Sequence, residues 1–348
     1  MPSIREVART AGVSIATVSR VMNGTDSVAP HLQQKVKQAI EVCDYSPKTG
    51  RRAVDAIALI YAGPFTAGSP YDSACIEGMV EAMRESEFDL TLVDLRRDLV
   101  PHETLRQFFS RKGIHGAIVR ATASERSQLT AFAKEGLPLV VLGDHFECDE
   151  LSFVYASSGE ASRDAIRHLV SLGHQRIAFA ASECDDGDHA DRLSAYRDVL
   201  RESDLLDEAL ICRLPPHRFD GAQMFRNLIG IPDRPTALFV ADPLVAVGVI
   251  NEAHRMGVGI PDELSIIGFD DTDMRTLVYP QMSAVCQDSR ELGRAAFERV
   301  LALASDGKAA GQPDKLTSYR AWLDLGHTTG PPPTTAERIL PTGARLPS

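Results

Sequence analysis

Ile4 to Gly24 reads IREVARTAGVSIATVSRVMNG, and its pattern is that of two short helices joined by a tight turn. Ser3 and Glu6 stand at capping-box spacing, so the Ser3 hydroxyl can take the Glu6 amide while the Glu6 carboxylate reaches back. Ile4, Val7, Ala8 and Ala11 recur at helical spacing and make one apolar face. Gly12 can take the left-handed conformation that ends a helix, and Val13 fills the space behind it. Ser14 then caps a second helix, in which Ile15, Ala16, Thr17, Ser19 and Arg20 point away from the buried Val18 and Val21. A helix this short, with small and polar residues at its exposed end, suits a DNA major groove.

Working outward, Pro30 stands where a first helical turn tolerates it. Leu32, Val36, Ala39 and Ile40 give a third apolar face able to cover the first two helices. VARTAGVSIATVSRVMNG, together with the DYSP that closes this third helix, resembles the N-terminal domain of the lactose-repressor family of bacterial transcription regulators. The resemblance implies that Ile15, Ala16 and Arg20 face base edges, with Arg20 gripping guanine O6 and N7 for about 1–3 kcal/mol of discrimination. It puts Thr17, Ser19 and Asn23 at phosphates, beside the capping Ser14.

Relatives in that family continue into a hinge helix whose leucine wedges into the minor groove. Here YSPKTGRRAVDAIALI runs from Pro47 to the first strand with fewer residues, no leucine before Leu59, and Gly50 opposing a helix. Residues 47–55 are therefore expected as a shortened linker. Lys48, Arg51 and Arg52 would enter an A·T-rich minor groove as charge, with Val54 a weak substitute for the wedge.

Charge supports the division. Residues 1–52 carry eight basic residues against four acids, whereas the whole chain of 348 residues is at −11. A basic head on an acidic body is expected when only the head meets phosphates. The six cysteines show no C-x-x-C pairing and read as reduced residues of a cytosolic protein. The absence of a leader pattern and of a long apolar run argues against export and membrane spanning.

From Ala56 onward, short apolar strands alternate with amphipathic helices. AIALIY, LTLVDL, GAIVRA and LVVL make one run; RIAFAA, ALICRL, ALFVA and LSIIGF make a second after Gly159. Near-continuous apolar strands between helices argue for two doubly wound parallel sheets with a cleft between them. The expected class is an all-α helix-turn-helix head on a bilobed α/β core. Its divisions are 1–46 for the head, 47–55 for the linker, 56–329 for the core and 330–348 for a disordered tail. Residues 314–325 read as one late strand. LVSLGHQRIAFA, DRLSAYRDVL, PTALFVADPLVAVGVINEAHRMGVGIPDELSIIGFDD and YPQMSAVCQD also resemble the family's core. They imply a periplasmic-binding-protein-like fold, a ligand in the interlobe cleft, and dimers made through the core.

Ligands in such folds sit outside the carboxyl ends of the strands. By resemblance, Arg192, Asp242 and Asp270 contact the effector there, and carboxylates opposed by a guanidinium suit a polyol or sugar. Tyr71 matches a position that packs against the effector. The chain also departs from the family. Tyr155-Ala156 replaces a usual Asp-Asn after the fifth strand, Gly143-Asp144 replaces an Asp-Arg, and Asp242-Pro243 replaces an Asn-Asp. Asp144 and Tyr155 remain candidate effector contacts, but these departures speak against a standard hexose site.

CDDGDHAD (Cys184–Asp191) lacks an ordered metal-ligand spacing and reads as a solvated loop beside the cleft; no metal or cofactor is expected. Neither G-x-S-x-G, G-x-x-x-x-G-K-[ST] nor G-x-G-x-x-G occurs, which leaves an enzyme without a catalytic constellation. The reading is a homodimeric, sequence-specific DNA-binding regulator, a repressor by resemblance, that answers to a carbohydrate-type effector. It would be cytoplasmic, and nucleoid-associated when bound. The alternative is a stand-alone sugar-binding protein without a DNA role.

Overall fold

The computed structural model describes residues 4–22, 28–43, 55–183, 186–215, 217–305, 316–340 and 342–346. The chain divides into two units, Met1–Val54 and Asp55–Ser348. The Ser3 side of the expected capping box, Asn23, and the linker with Lys48, Arg51 and Arg52 lie outside the described residues.

The head is three helices, α1 (Ile4–Ala11), α2 (Ile15–Met22) and α3 (Pro30–Val42). Gly12 takes φ +65°, and the amides of Gly12 and Val13 bond the carbonyls of Arg9 and Ala8. That is the paired closure expected of a left-handed helix end. Ser14 Oγ accepts the Thr17 amide at 3.1 Å and so caps α2. Val7, Ala8, Ala11, Val18, Val36 and Ala39 are buried together, with Val13, Val21 and Ile40 packed against them.

The core has two lobes. Lobe 1 runs through β1 (Ala56–Tyr61), α4 (Pro70–Met83), β2 (Asp89–Asp94), α5 (Leu95–Asp98), α6 (Leu105–Lys112), β3 (Ile114–Arg120), α7 (Arg126–Ala133), β4 (Leu139–Leu142) and β5 (Ser152–Ser157). Lobe 2 follows with α8 (Gly159–Ser171), β6 (Ile177–Ser182), α9 (Gly187–Glu202), β7 (Ile211–Leu214), α10 (Arg218–Ile229), β8 (Ala237–Val240), α11 (Pro243–Arg255), β9 (Ser265–Asp270) and β10 (Ser283–Cys286). α12 (Ser289–Ser305) then returns to lobe 1, where Leu292, Ala296, Phe297 and Val300 enter the core under β1.

Each lobe has a six-stranded sheet, ordered β11 (Leu316–Arg320)-β5-β4-β3-β1-β2 and β12 (Trp322–Asp324)-β10-β9-β8-β6-β7. β1 and β9 are buried along their whole length, as strands covered on both faces must be. The late segment expected as one strand is two. β11 (Leu316–Arg320) pairs parallel to β5 in lobe 1, and β12 (Trp322–Asp324) pairs antiparallel to β10 in lobe 2. The chain thus crosses between lobes after β5, after β10 and at the buried Ala321.

The tail corrects the expectation of disorder. Its described residues end in a hairpin of β13 (Arg338–Ile339) and β14 (Arg345–Leu346). Ile339 is fully buried in lobe 2, the buried Arg234 donates to the Glu337 carbonyl at 2.6 Å, and Arg345 pairs with Glu263. A proline-rich composition hid one apolar anchor and two arginine ties.

Candidate functional site

In the head, burial of Val18 against α1 and α3 turns the opposite side of α2 outward. Ser14, Ala16 and Arg20 are exposed, Thr17 and Ser19 are half-buried, and Ile15 is 46% exposed. An isoleucine free at the tip of a helix whose neighbours are small or polar has no folding role to explain it. The Ser14 and Thr17 hydroxyls lie 2.9 Å apart, and Arg5, Arg9, Lys35 and Lys37 are exposed elsewhere on the head. The six described residues singled out for DNA contact therefore lie on one short helix and its cap.

In the core, a cavity of about 350 Å³ opens between the lobes. Lobe 1 lines it with Pro64, Phe65, Thr66, Tyr71 and Arg120; lobe 2 with Asp186, Asp188, His189, Arg192, His217, Asp242, Leu244 and Asp271. Gln287, in the crossover after β10, completes the wall. The carboxyl ends of the parallel strands deliver most of these groups to one place, as the topology requires.

Arg120 ends β3. Its Nε donates to the buried Asp72 at 2.7 Å, its Nη1 to the Leu142 carbonyl at 2.6 Å, and its guanidinium lies 4.7 Å over the Tyr71 ring. Arg192 of α9 is buried. It donates to the Ala241 carbonyl at 3.0 Å and lies 3.5 Å over the Phe269 ring. Asp242 caps α11 by accepting the Val245 amide at 3.0 Å. Tyr71, Arg192 and Asp242 thus meet at the cleft.

Asp144 and Tyr155 do not, and Asp270 lines an adjoining cavity between the lobes instead. Asp144 is fully buried, bidentate with Arg126 at 2.6 and 3.1 Å, and accepts the Gly187 amide of lobe 2 at 2.6 Å. It ties the lobes together beside the cavity rather than lining it. Tyr155 lies within β5, not after it, and its ring packs tilted against His145 with centroids 4.4 Å apart. Asp270 is held by Arg275 at 2.8 Å and by the Met274 amide at 2.9 Å. Its neighbour Asp271 faces the cavity instead, because successive residues leave a strand on opposite sides.

Asp271 was missed for that reason, and Asp186 and Asp188 because their segment looked solvated. Both are 3% exposed. Asp186 caps α9 and accepts from the His189 amide at 2.9 Å and ring at 2.8 Å. Burial works against its charge, but His189 outweighs burial and holds the carboxyl well below its usual range. Burial, then the Asp186 charge, pushes Asp188 well up. Burial also moves Asp271 up to about 6, against Arg192 and Gln287. The signal that could have found them was the alternation of acids in DDGDHAD and FDD once placed at strand ends. Among the described residues there is no group of three metal-ligating side chains and no helix long and apolar enough to cross a membrane.

Two family models match the chain: bacterial regulatory proteins of the lacI family over residues 3–48, and a periplasmic binding protein-like domain over residues 166–321. The transcriptional repressor PurR of Photobacterium profundum is 25% identical over 316 residues, 88% of this chain and 93% of that protein. Among solved structures, the complex of the regulator CelR with cellobiose superposes with a TM-score of 0.68 at 24% identity, covering 94% of this chain and 100% of that one. The lac repressor dimer bound to operator and the anti-inducer ONPF gives 0.70 at 20% identity, covering 94% and 99%. At these identities the structures speak for the fold.

Proposed function

Because the chain belongs to the lacI family of bacterial regulatory proteins, we propose that its head reads an operator through α2 while a small molecule in the core cleft modulates that reading. It is a DNA-binding transcription regulator, a repressor by kinship, and not an enzyme. The observation that carries the reading is the free face of α2: Ile15 exposed beside Ala16 and Arg20 on a helix whose other side packs Val18 and Val21 against the rest of the head.

Ser14, Thr17 and Ser19 would position the helix on phosphates, with Asn23, Lys48, Arg51 and Arg52 of the undescribed segments adding charge. Arg20 would read a base, and Ile15 and Ala16 would touch apolar base surface. The lac repressor solved on its operator is a dimer; two heads of this chain would likewise engage a pseudo-palindrome. Residues 1–46 serve as the head, 47–55 as the linker and 56–329 as the core, in a cytoplasmic protein that is nucleoid-associated when bound.

CelR was solved with cellobiose, and a hydroxylated effector suits a cleft walled by carboxylates, guanidinium groups and aromatic rings. Tyr71, Arg192 and Asp242 are its proposed contacts, joined by Asp188, Asp271 and Gln287. Gel shift of genomic fragments by the full chain tests the DNA role. Arg20→Ala should weaken specific binding by about 1–3 kcal/mol and relax preference at one base pair per half-site. Unchanged affinity and preference would reject α2 as the reading helix.

A further inference from the structure

Two acceptor oxygens on the cleft wall are buried without a hydrogen-bond partner, Asp188 Oδ1 and Gln287 Oε1, and so is the Tyr71 hydroxyl. Asp188 and Gln287 are 3% and 5% exposed, so bulk water does not serve them. Gln287 donates its Nε2 to Asp271 at 2.5 Å, which fixes the amide and leaves its oxygen over. Buried acceptors in that state seek a donor.

The cations of the wall are already engaged. Arg120 is paired with Asp72, His189 bonds Asp186, and Arg192 donates to the Ala241 carbonyl while covering Phe269. Against them stand Asp186, Asp188, Asp242 and Asp271. A neutral hydroxyl would satisfy a lone pair on Asp188 but bring no cation to an acidic wall whose own cations are already engaged.

We propose that the cleft recognises an effector bearing a protonated amine on a hydroxylated frame, an amino sugar by chemical class, with its ammonium against Asp188 and a hydroxyl donating to Gln287 Oε1. Phe65 and Tyr71 offer the apolar face on the opposite lobe. The proposal rests on the cleft being the effector site. Burial, then the Asp186 charge, raise the Asp188 pKa, with Arg192 on its own helix and Arg120 and His145 on lobe 1 acting in the other direction. An ammonium beside Asp188 lowers that pKa, so binding shifts the carboxyl toward its ionised form and any proton lost passes to solvent.

The test is calorimetry of the full chain with glucosamine, galactosamine and mannosamine, each against its parent hexose at millimolar concentration. Two buffers that differ in ionisation enthalpy and contain no primary amine read the proton. One or more amino sugars should bind at least about tenfold tighter than the parent, the equivalent of one pKa unit. Binding should release a proton, and Asp188→Asn should remove the preference with its circular dichroism melt intact. Equal or tighter binding of the parent hexoses, or no binding by any amino sugar, overturns the proposal. A gel shift on the same sample separates the two readings: absent DNA binding with the amine preference intact would sink the regulator and leave the amine site standing.

Discussion

Lobe 1 brings Pro64, Phe65, Tyr71 and Arg120 to the cleft, and lobe 2 brings four aspartates and Arg192, although the two sheets have the same strand order. At the carboxyl end of the equivalent strands β4 and β9 each lobe even repeats one device, an aspartate locked by an arginine: Asp144 with Arg126, Asp270 with Arg275. The scaffold is therefore shared, and the residues that follow these locked pairs decide what each wall offers. In lobe 1 the next residue, His145, reaches across to Asp191 of α9 at 3.0 Å; in lobe 2 the next residue, Asp271, turns into the cavity.

The largest expected effect breaks the apparent equality of the buried ion pairs. Arg120→Ala leaves Asp72, which is 1% exposed, without its cation and with the Thr66 hydroxyl as its remaining side-chain donor, and should cost about 3–5 kcal/mol of stability in denaturant unfolding. Arg275→Ala should cost distinctly less, since Asp270 keeps the amides of Thr272 and Met274. Equal losses would mean that those amides do not hold the charge.

A second pair of substitutions tests whether the lobes are closed the same way. A Cβ on Gly293 would lie 1.9 Å from the Cys75 carbonyl oxygen, and one on Gly248 would lie 2.0 Å from that of Arg218. Both sit where two helices touch backbone to backbone, α12 on α4 and α11 on α10. Gly293→Ala and Gly248→Ala should each cost about 1–3 kcal/mol by thermal melting. A harmless substitution in one lobe alone would show that its helix pair has room to slide.

The smallest effect concerns the tie between lobes. The hydrogen bond of Asp191 outweighs burial and, with the charges of Asp191, Asp188 and Asp144, raises the His145 pKa above its ordinary value, while the Tyr155 ring packs tilted against the imidazole. A raised folded value means stability that is complete below the unfolded pKa of about 6.5 and lost as pH rises through the folded one. The pair is partly exposed, so the change should be slight. Melting curves across neutrality should slope downward in the wild type and flatten in Asp191→Asn.

Much of this was legible in the residues themselves where the cause is local. Gly12 ending a helix, Ser14 capping the next, and the apolar runs from AIALIY to LSIIGF depend on neighbours a few positions away. The strand ends pointed to Arg192 and Asp242 for the same reason. The choice between Asp270 and Asp271 depended on which way one residue at the end of β9 faces. The engagement of Asp144 depended on Arg126 and on Gly187 of the other lobe, and the fate of the tail on a single isoleucine finding lobe 2.

By itself the sequence determined a helix-turn-helix head with an outward face on its second helix and a two-lobed core of parallel sheets, because helical and strand periodicities and caps act over short spans of chain. Only the tertiary structure decided which carboxylates line the cleft and which are locked beside it. That outcome depends on pairings between residues far apart in sequence, such as Arg120 with Asp72 and Gln287 with Asp271, and on burial, which changes the charge a group such as Asp188 carries.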